Sequence, residues 1–174
     1  MKYILGVDAA WTEKEPTGVA LLSINNDNSI QAVKIARSYE EFSKGRISWD
    51  NSVTGSKPDF PRLLCYCRNN EWVIDLIALD IPLSPERIIV RRECDRLISR
   101  HYGKYGASTH SPSEIRPGPI SEAIFKQLSE AGYSWNGDAN ESLSFIEVYP
   151  HTTIIEIFEY QYRFQYNLSP YYKE

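Results

Sequence analysis

A mixed α/β domain is what this sequence predicts, and three observations carry that reading. Tyr3 to Val7 and Leu76 to Leu79 are apolar runs that each end in an aspartate, Asp8 and Asp80. Unbroken apolar character marks strands buried on both faces. Residues 18–37 hold two more strand-like runs separated by Asn25-Asn26-Asp27-Asn28, a cluster of turn formers that signals a hairpin meander. Segments with helical spacing then alternate with later strands. The resulting order, β-β-β-α-β-α-α-β-α, describes a mixed sheet flanked by helices, and 174 residues suffice for one domain over 1–174.

The elements follow in order. Tyr3 to Asp8 reads as a central strand, Gly18 to Ile24 as a second, and Ile30 to Arg37 as an outer strand with Val33 and Ile35 on one face and Lys34 on the other. Residues 38–58 are polar and broken by Gly45, Gly55 and Pro58, and they predict no definite element. Asp59 to Arg68 reads as a short helix with Leu63, Leu64 and Cys67 on one side, and Leu76 to Asp80 as a buried strand. Ser84-Pro85-Glu86 has the form of a helix start, with Ser as cap and Pro at the first position. That helix is expected to reach Tyr102 and stop at Gly103, burying Val90, Cys94, Leu97 and Ile98. Residues 104–120 read as a long irregular loop, of the kind that carries function or is mobile rather than a mere connector. Ser121 is expected to cap a helix burying Ile124, Phe125, Leu128 and Ala131 and ending at Gly132. Leu143 to Val148 is a last strand, and Pro150 opens a last helix with Ile154, Ile155, Phe158 and Tyr162 on its apolar side.

Composition narrows the function classes. With 42% hydrophobic and 24% charged residues the chain is of globular type. Its formal charge of −4 argues against a broad basic surface for non-specific duplex binding. Cys65, Cys67 and Cys94 match neither a disulfide framework nor a zinc site, so the expected compartment is reducing. The Tyr3 to Val7 run is far too short for a signal-peptide core, and no stretch approaches the roughly eighteen apolar residues of a membrane span. A cytoplasmic protein without membrane contact is the expectation.

Asp8, Asp80 and Glu147 stand at the ends of three apolar strands. A carboxylate there must be paired, hydrogen-bonded or cation-bound, because burying it bare costs several kcal/mol. Ligands of α/β sheets lie beyond strand ends. If the three strands are neighbours, the acids converge on one cation, and hard oxygen ligands suit Mg²⁺ or Mn²⁺. The plainer alternative is that each acid caps the turn that follows it. Arg91, Arg92, Asp95, Arg96 and Arg100 share the expected helix after Asp80. Ion pairs at three- and four-residue spacing explain them structurally, and a guanidinium meeting a phosphate explains them functionally. His110 in the long loop and His151 after Glu147 are candidates to shuttle a proton or position a substrate or water. Trp11 suits either a stacked base or a core plug.

Gly6-Val7-Asp8-Ala9-Ala10-Trp11-Thr12 with Pro16-Thr17-Gly18-Val19-Ala20 resembles the opening of a family of predicted ribonuclease H-like nucleases, catalogued mainly as a domain of unknown function. Ala78-Leu79-Asp80-Ile81-Pro82-Leu83-Ser84, Arg92-Glu93-Cys94-Asp95-Arg96 and Glu147-Val148-Tyr149-Pro150-His151 are similar to its later motifs, in the same order. The resemblance implies three antiparallel strands followed by parallel strands alternating with helices. It further implies metal-binding roles for Asp8 and Asp80, with Glu147 and Asp95 as motif positions of less defined role. Such nucleases take a last metal ligand from a C-terminal helix. This sequence ends at Glu174, soon after Tyr160-Gln161-Tyr162-Arg163, which reads as a shortened C-terminus; Glu156 and Glu159 are the acids available to substitute.

The functional expectation is a Mg²⁺- or Mn²⁺-dependent phosphodiesterase acting on nucleic acid. Asp8, Asp80, Glu147 and Asp95 are its candidate ligands or base, and Arg92, Arg96, His110 and His151 its candidate substrate contacts. Two other readings compete. One is a non-catalytic binding module of the same fold. The other is an ATP-binding protein of the actin and sugar-kinase type, in which a Gly-rich phosphate loop would stand where Ala9-Ala10-Trp11 is found.

Overall fold

The computed structural model describes residues 1–44, 50, 52–135 and 143–164. Six strands among these form one sheet: β1 (Lys2–Asp8), β2 (Gly18–Ile24), β3 (Ile30–Ala36), β4 (Ile74–Leu79), β5 (Ser134–Trp135) and β6 (Ser144–Glu147). Their spatial order is β3-β2-β1-β4-β6-β5. The first three pair antiparallel, and β4, β6 and β5 continue the sheet parallel to β1. The helices are α1 (Tyr39–Phe42), α2 (Phe60–Asn69), α3 (Glu93–Tyr102), α4 (Pro119–Glu130) and α5 (Pro150–Phe158), with a 3₁₀ turn at Gly103–Tyr105. The fold class is therefore α/β with a mixed sheet flanked by helices. Two compact units make up the described chain: Met1–Ile89 with Pro112–Val148, and Val90–Ser111 with the described part of Tyr149–Glu174. Among the described residues no helix is long and apolar enough to cross a membrane.

The first unit holds the hydrophobic core. Leu5, Val7, Val19, Leu21, Ile77, Leu79 and Phe145 project from one sheet face onto Phe42 of α1, Phe60, Leu63, Leu64 and Cys67 of α2, and Ile120, Ile124 and Leu128 of α4. The apolar side predicted for α2 is the one it buries, and Asp59 caps it by accepting from Arg62 N–H at 3.1 Å. Gln127 of α4 stitches the two helices. Its amide accepts from Phe60 N–H at 2.9 Å and donates to Pro58 O at 3.0 Å. Phe125, Trp135 and Phe145 form an aromatic cluster with centroids 5.2–5.6 Å apart. At the sheet edge Lys34 is the inward residue of β3, its Nζ donating to Tyr66 Oη at 2.7 Å, whereas Val33 and Ile35 are exposed. A lysine stem covers apolar surface while its head keeps polar partners.

Several expectations are corrected. β1 is deeply buried on one face only: Leu5 and Val7 are inside, and Tyr3, Ile4 and Gly6 are half-covered. No helix begins at Ser84. Ser84 Oγ accepts from Glu86 N–H in a local turn, and the β-branched run Ile88-Ile89-Val90 is a poor helix former. α3 starts only at Glu93, where Arg92 N–H donates to Asp95 Oδ2 at 3.1 Å as half of a capping box. The stripe expected for that helix is not buried: Val90 is 65% and Leu97 41% exposed, Cys94 is exposed, and the buried residue of α3 is Asp95. Helix α4 is capped by Gly118 with Pro119 at its first position, so Ser121 lies inside the helix, where its hydroxyl donates to Pro82 O. Ala131 is exposed. In α5 Ile155 is the buried residue; Phe158 is 60% exposed, and Tyr162, beyond the helix end, is 51% exposed. The short α1 and β5 were not predicted, because four and two residues are too few for periodicity to register. Of the polar stretch 38–58, residues 45–49 and 51 lie outside the described residues, as do residues 165–174 of the C-terminus.

Candidate metal centre

The carboxylates at the strand ends owe their placement to sheet order. β1, β4 and β6 are parallel neighbours, so their C-terminal ends lie together. Val7 pairs with Leu79, and Asp80 N–H continues the ladder by donating to Val7 O at 2.8 Å. One step further along the same register, Asp8 stands level with Asp80. Alternation along a strand then puts both on one side of the sheet. Glu147 instead pairs with Leu79, which places its backbone one step back, on the pleat that faces the opposite side. Its side chain bends to the strand ends, where Oε2 accepts from Leu83 N–H at 2.9 Å.

The electrostatics follow from this arrangement. Asp8 is exposed, and Asp80 and Glu147 are half-buried. Burial, then the negative charge of Asp8, then that of Glu147 push the Asp80 carboxyl up to about 7. Among the described residues no side chain or backbone donor and no cationic group offsets these effects at Asp80. The strand ends thus concentrate negative charge on a half-buried carboxyl.

The residues present fit a hydrated divalent cation better than a closed cage. Among the described residues no three His, Cys, Asp or Glu side chains are gathered as a ready-made metal site. Mg²⁺ typically keeps several waters and takes only one or two protein carboxylates; Asp8 and Asp80, level with each other across the β1–β4 register, are the two that such an ion would take. Glu147, one oxygen of which is held by Leu83 N–H, sits at the margin.

The other predicted site residues belong to the second unit. Arg92 Nη2 donates to Asp95 Oδ1 at 2.9 Å and its Nε to Oδ2 at 3.0 Å, so the three-residue ion pair is formed and buries Asp95. Arg96 pairs with Glu93 at 3.0 Å on the surface. His110 is exposed, and His151 sits in the first turn of α5 with its ring edge-on to Tyr149 at 5.5 Å. Glu156 accepts from Tyr102 Oη at 2.8 Å, and Glu159 is the left-handed residue ending α5. Arg91, read in the sequence as a possible partner of the Asp95 carboxylate, instead donates to Asp95 O and to the Ser99 and Thr109 side chains.

One contact of the loop after Asp8 that the sequence does not reveal involves Arg116. Its guanidinium lies over the Trp11 ring, 5.9 Å from the centroid, and no local pattern joins residues so distant in the chain. No protein-family model, curated protein or solved structure matches this chain.

Proposed function

We propose that the chain is a metal-dependent phosphodiesterase of ribonuclease H-like architecture that acts on nucleic acid, with Asp8 and Asp80 as the ligands of Mg²⁺ or Mn²⁺. The observation that carries this reading is Asp80. It is half-buried beside two other acids, its carboxyl is raised to about 7, and no cation among the described residues answers it. A divalent ion is the partner that makes such a cluster favourable at neutral pH. The mixed sheet, three antiparallel strands followed by parallel ones, supports the fold assignment.

When bound, such an ion stabilises charge on the attacking and leaving oxygens of an in-line phosphoryl displacement. Asp8 and Asp80 hold it at the parallel strand ends. Glu147, fixed through Leu83 N–H, is the third acid at these strand ends and the candidate to accept a proton from water or to take part in ligation. The absence of a gathered trio among the described residues favours a second reading, a non-catalytic binding module of the same fold.

The deciding experiment is hydrolysis of labelled single-stranded, duplex and branched substrates in Mn²⁺ by the wild type and Asp8→Asn. The nuclease reading predicts cleavage by the wild type, with at least a ~100-fold loss in the variant, as expected when a charge-stabilising group is removed. Equal activity of the two proteins would overturn it. Cation binding without cleavage of any substrate selects the module.

A further inference from the structure

The turn from Ser113 to Pro117 in the first unit is held closed from several directions. Ser113 N–H donates to Arg116 O at 2.8 Å and Arg116 N–H to Ser113 Oγ at 3.2 Å. Pro112, Pro117 and Gly118 are buried beneath it. Gly118 has φ of +36°, and a Cβ there would collide with Glu114 O, so only glycine lets the chain pass. Arg87 clamps the turn to α4, pairing with Glu114 at 2.8 Å and with Glu122 at 2.9 Å.

This fixed turn presents two side chains that its closure does not use. Ile115 is 87% exposed, more than any other large apolar side chain among the described residues. Arg116 is exposed and makes no ion pair among the described residues, whereas Arg87 answers two carboxylates. The Arg116 guanidinium lies over the Trp11 ring, a contact that engages its charge and leaves N–H donors for an acceptor. Trp11 is three residues beyond Asp8, a span of at most about 11 Å of backbone. The turn therefore stands beside the loop that leaves the proposed metal centre.

A ligand that meets both side chains joins an anion to an apolar face, and a nucleotide does so. Its phosphate suits the planar donors of a guanidinium, and its base suits an aliphatic side chain, as where apolar wedges pack on or between bases. Such a face is open on an unpaired base. Duplex binding draws instead on several cations along the backbone, which a chain of charge −4 does not favour. We infer that the Ser113–Pro117 turn is the contact for one unpaired nucleotide of a nucleic-acid strand, Arg116 taking its phosphate and Ile115 packing on its base. The inference rests on the nuclease reading for the choice of nucleic acid over an acidic peptide, and it sharpens that reading to unpaired substrate. It also supplies a cation at the strand where Arg92 and Arg96 are occupied by Asp95 and Glu93.

The test is fluorescence anisotropy with a labelled 15-nucleotide oligothymidine and a mixed-sequence duplex of the same length, in EDTA so that binding is read without the metal centre. The wild type is expected to prefer the single strand. Arg116→Ala should weaken that binding about 10-fold and lower the salt slope by about 0.7, whereas Arg116→Lys should keep the slope and weaken binding about 3-fold. Ile115→Ser should weaken binding about 5-fold with the slope unchanged, because it removes apolar contact and no charge. Equal urea midpoints for the wild type and both exposed-site variants, Arg116→Ala and Ile115→Ser, exclude a folding artefact. No single-strand binding by the wild type, preference for duplex, or binding indifferent to both substitutions, as a protein partner for this turn would give, would each overturn the inference. Cleavage in Mn²⁺ separates it from the reading it rests on. Binding that depends on Arg116 and Ile115 without cleavage of any substrate keeps the turn and removes the nuclease; cleavage with an unchanged KM in both variants does the reverse.

Discussion

Leu83 N–H donates to Glu147 Oε2 at 2.9 Å. The bond ties the chain leaving Asp80 to the end of β6, so Glu147 has a structural task alongside any chemical one.

Two substitutions separate those tasks. Glu147→Gln keeps an acceptor for Leu83 N–H and is expected to cost under about 1 kcal/mol. Glu147→Ala removes that acceptor and should cost about 1–3 kcal/mol in urea unfolding. Equal losses in both variants would mean that the carboxylate charge, not the hydrogen bond, matters for folding.

Asp80 makes stability depend on pH in a stated direction. Its folded carboxyl is raised to about 7 from an ordinary value of 3.8, so the folded protein retains a proton that the unfolded chain releases. Its contribution in metal-free buffer is therefore most favourable below pH 4, declines as pH rises through 7, and is flat above. Asp80→Asn should remove that decline and raise metal-free stability at pH 8 by on the order of 2 kcal/mol, discounted for partial exposure. Urea unfolding at pH 5 and pH 8 checks this; an unchanged slope in Asp80→Asn would contradict it.

The three thiols should divide two to one. Cys65 and Cys94 are exposed, and burial pushes the Cys67 thiol up to about 11. A thiol-disulfide colorimetric reagent at pH 8 is expected to label two cysteines quickly in the native protein and the third only after unfolding. Three fast thiols would show that α2 is not packed as described.

Gln127 joins two helices through both ends of one amide. Gln127→Leu strands Phe60 N–H and Pro58 O and should cost about 2–4 kcal/mol. Phe145→Ala, which opens the sheet face beneath the aromatic cluster, should cost about 3–5 kcal/mol. Chemical denaturation measures both.

What the sequence made legible were features written in local pattern. The strands ending at Asp8, Asp80 and Glu147 were readable because an apolar run closed by an acid is unusual, and α2 because its buried positions recur at helical spacing. The Arg92–Asp95 pair was readable from its spacing. Other features were not. Val90, Leu97 and Phe158 have the spacing of buried residues yet are exposed, since periodicity records polarity and not what packs on it. The helix start at Arg92 was hidden because a serine and a proline eight residues earlier supply an equally good cap pattern. The Trp11–Arg116 contact depends on tertiary closure of two loops, which no window of neighbouring residues contains.

The proposed function requires above all that Asp8 and Asp80 hold a divalent cation. Titrating the metal-free protein with Mn²⁺ at pH 8, followed by the electron paramagnetic resonance of the free ion, tests it directly. Saturable uptake by the wild type below millimolar Mn²⁺ is expected, abolished or weakened at least about 10-fold in Asp8→Asn and Asp80→Asn, as on losing a charged ligand. No uptake at millimolar Mn²⁺, or equal uptake by all three proteins, would contradict it.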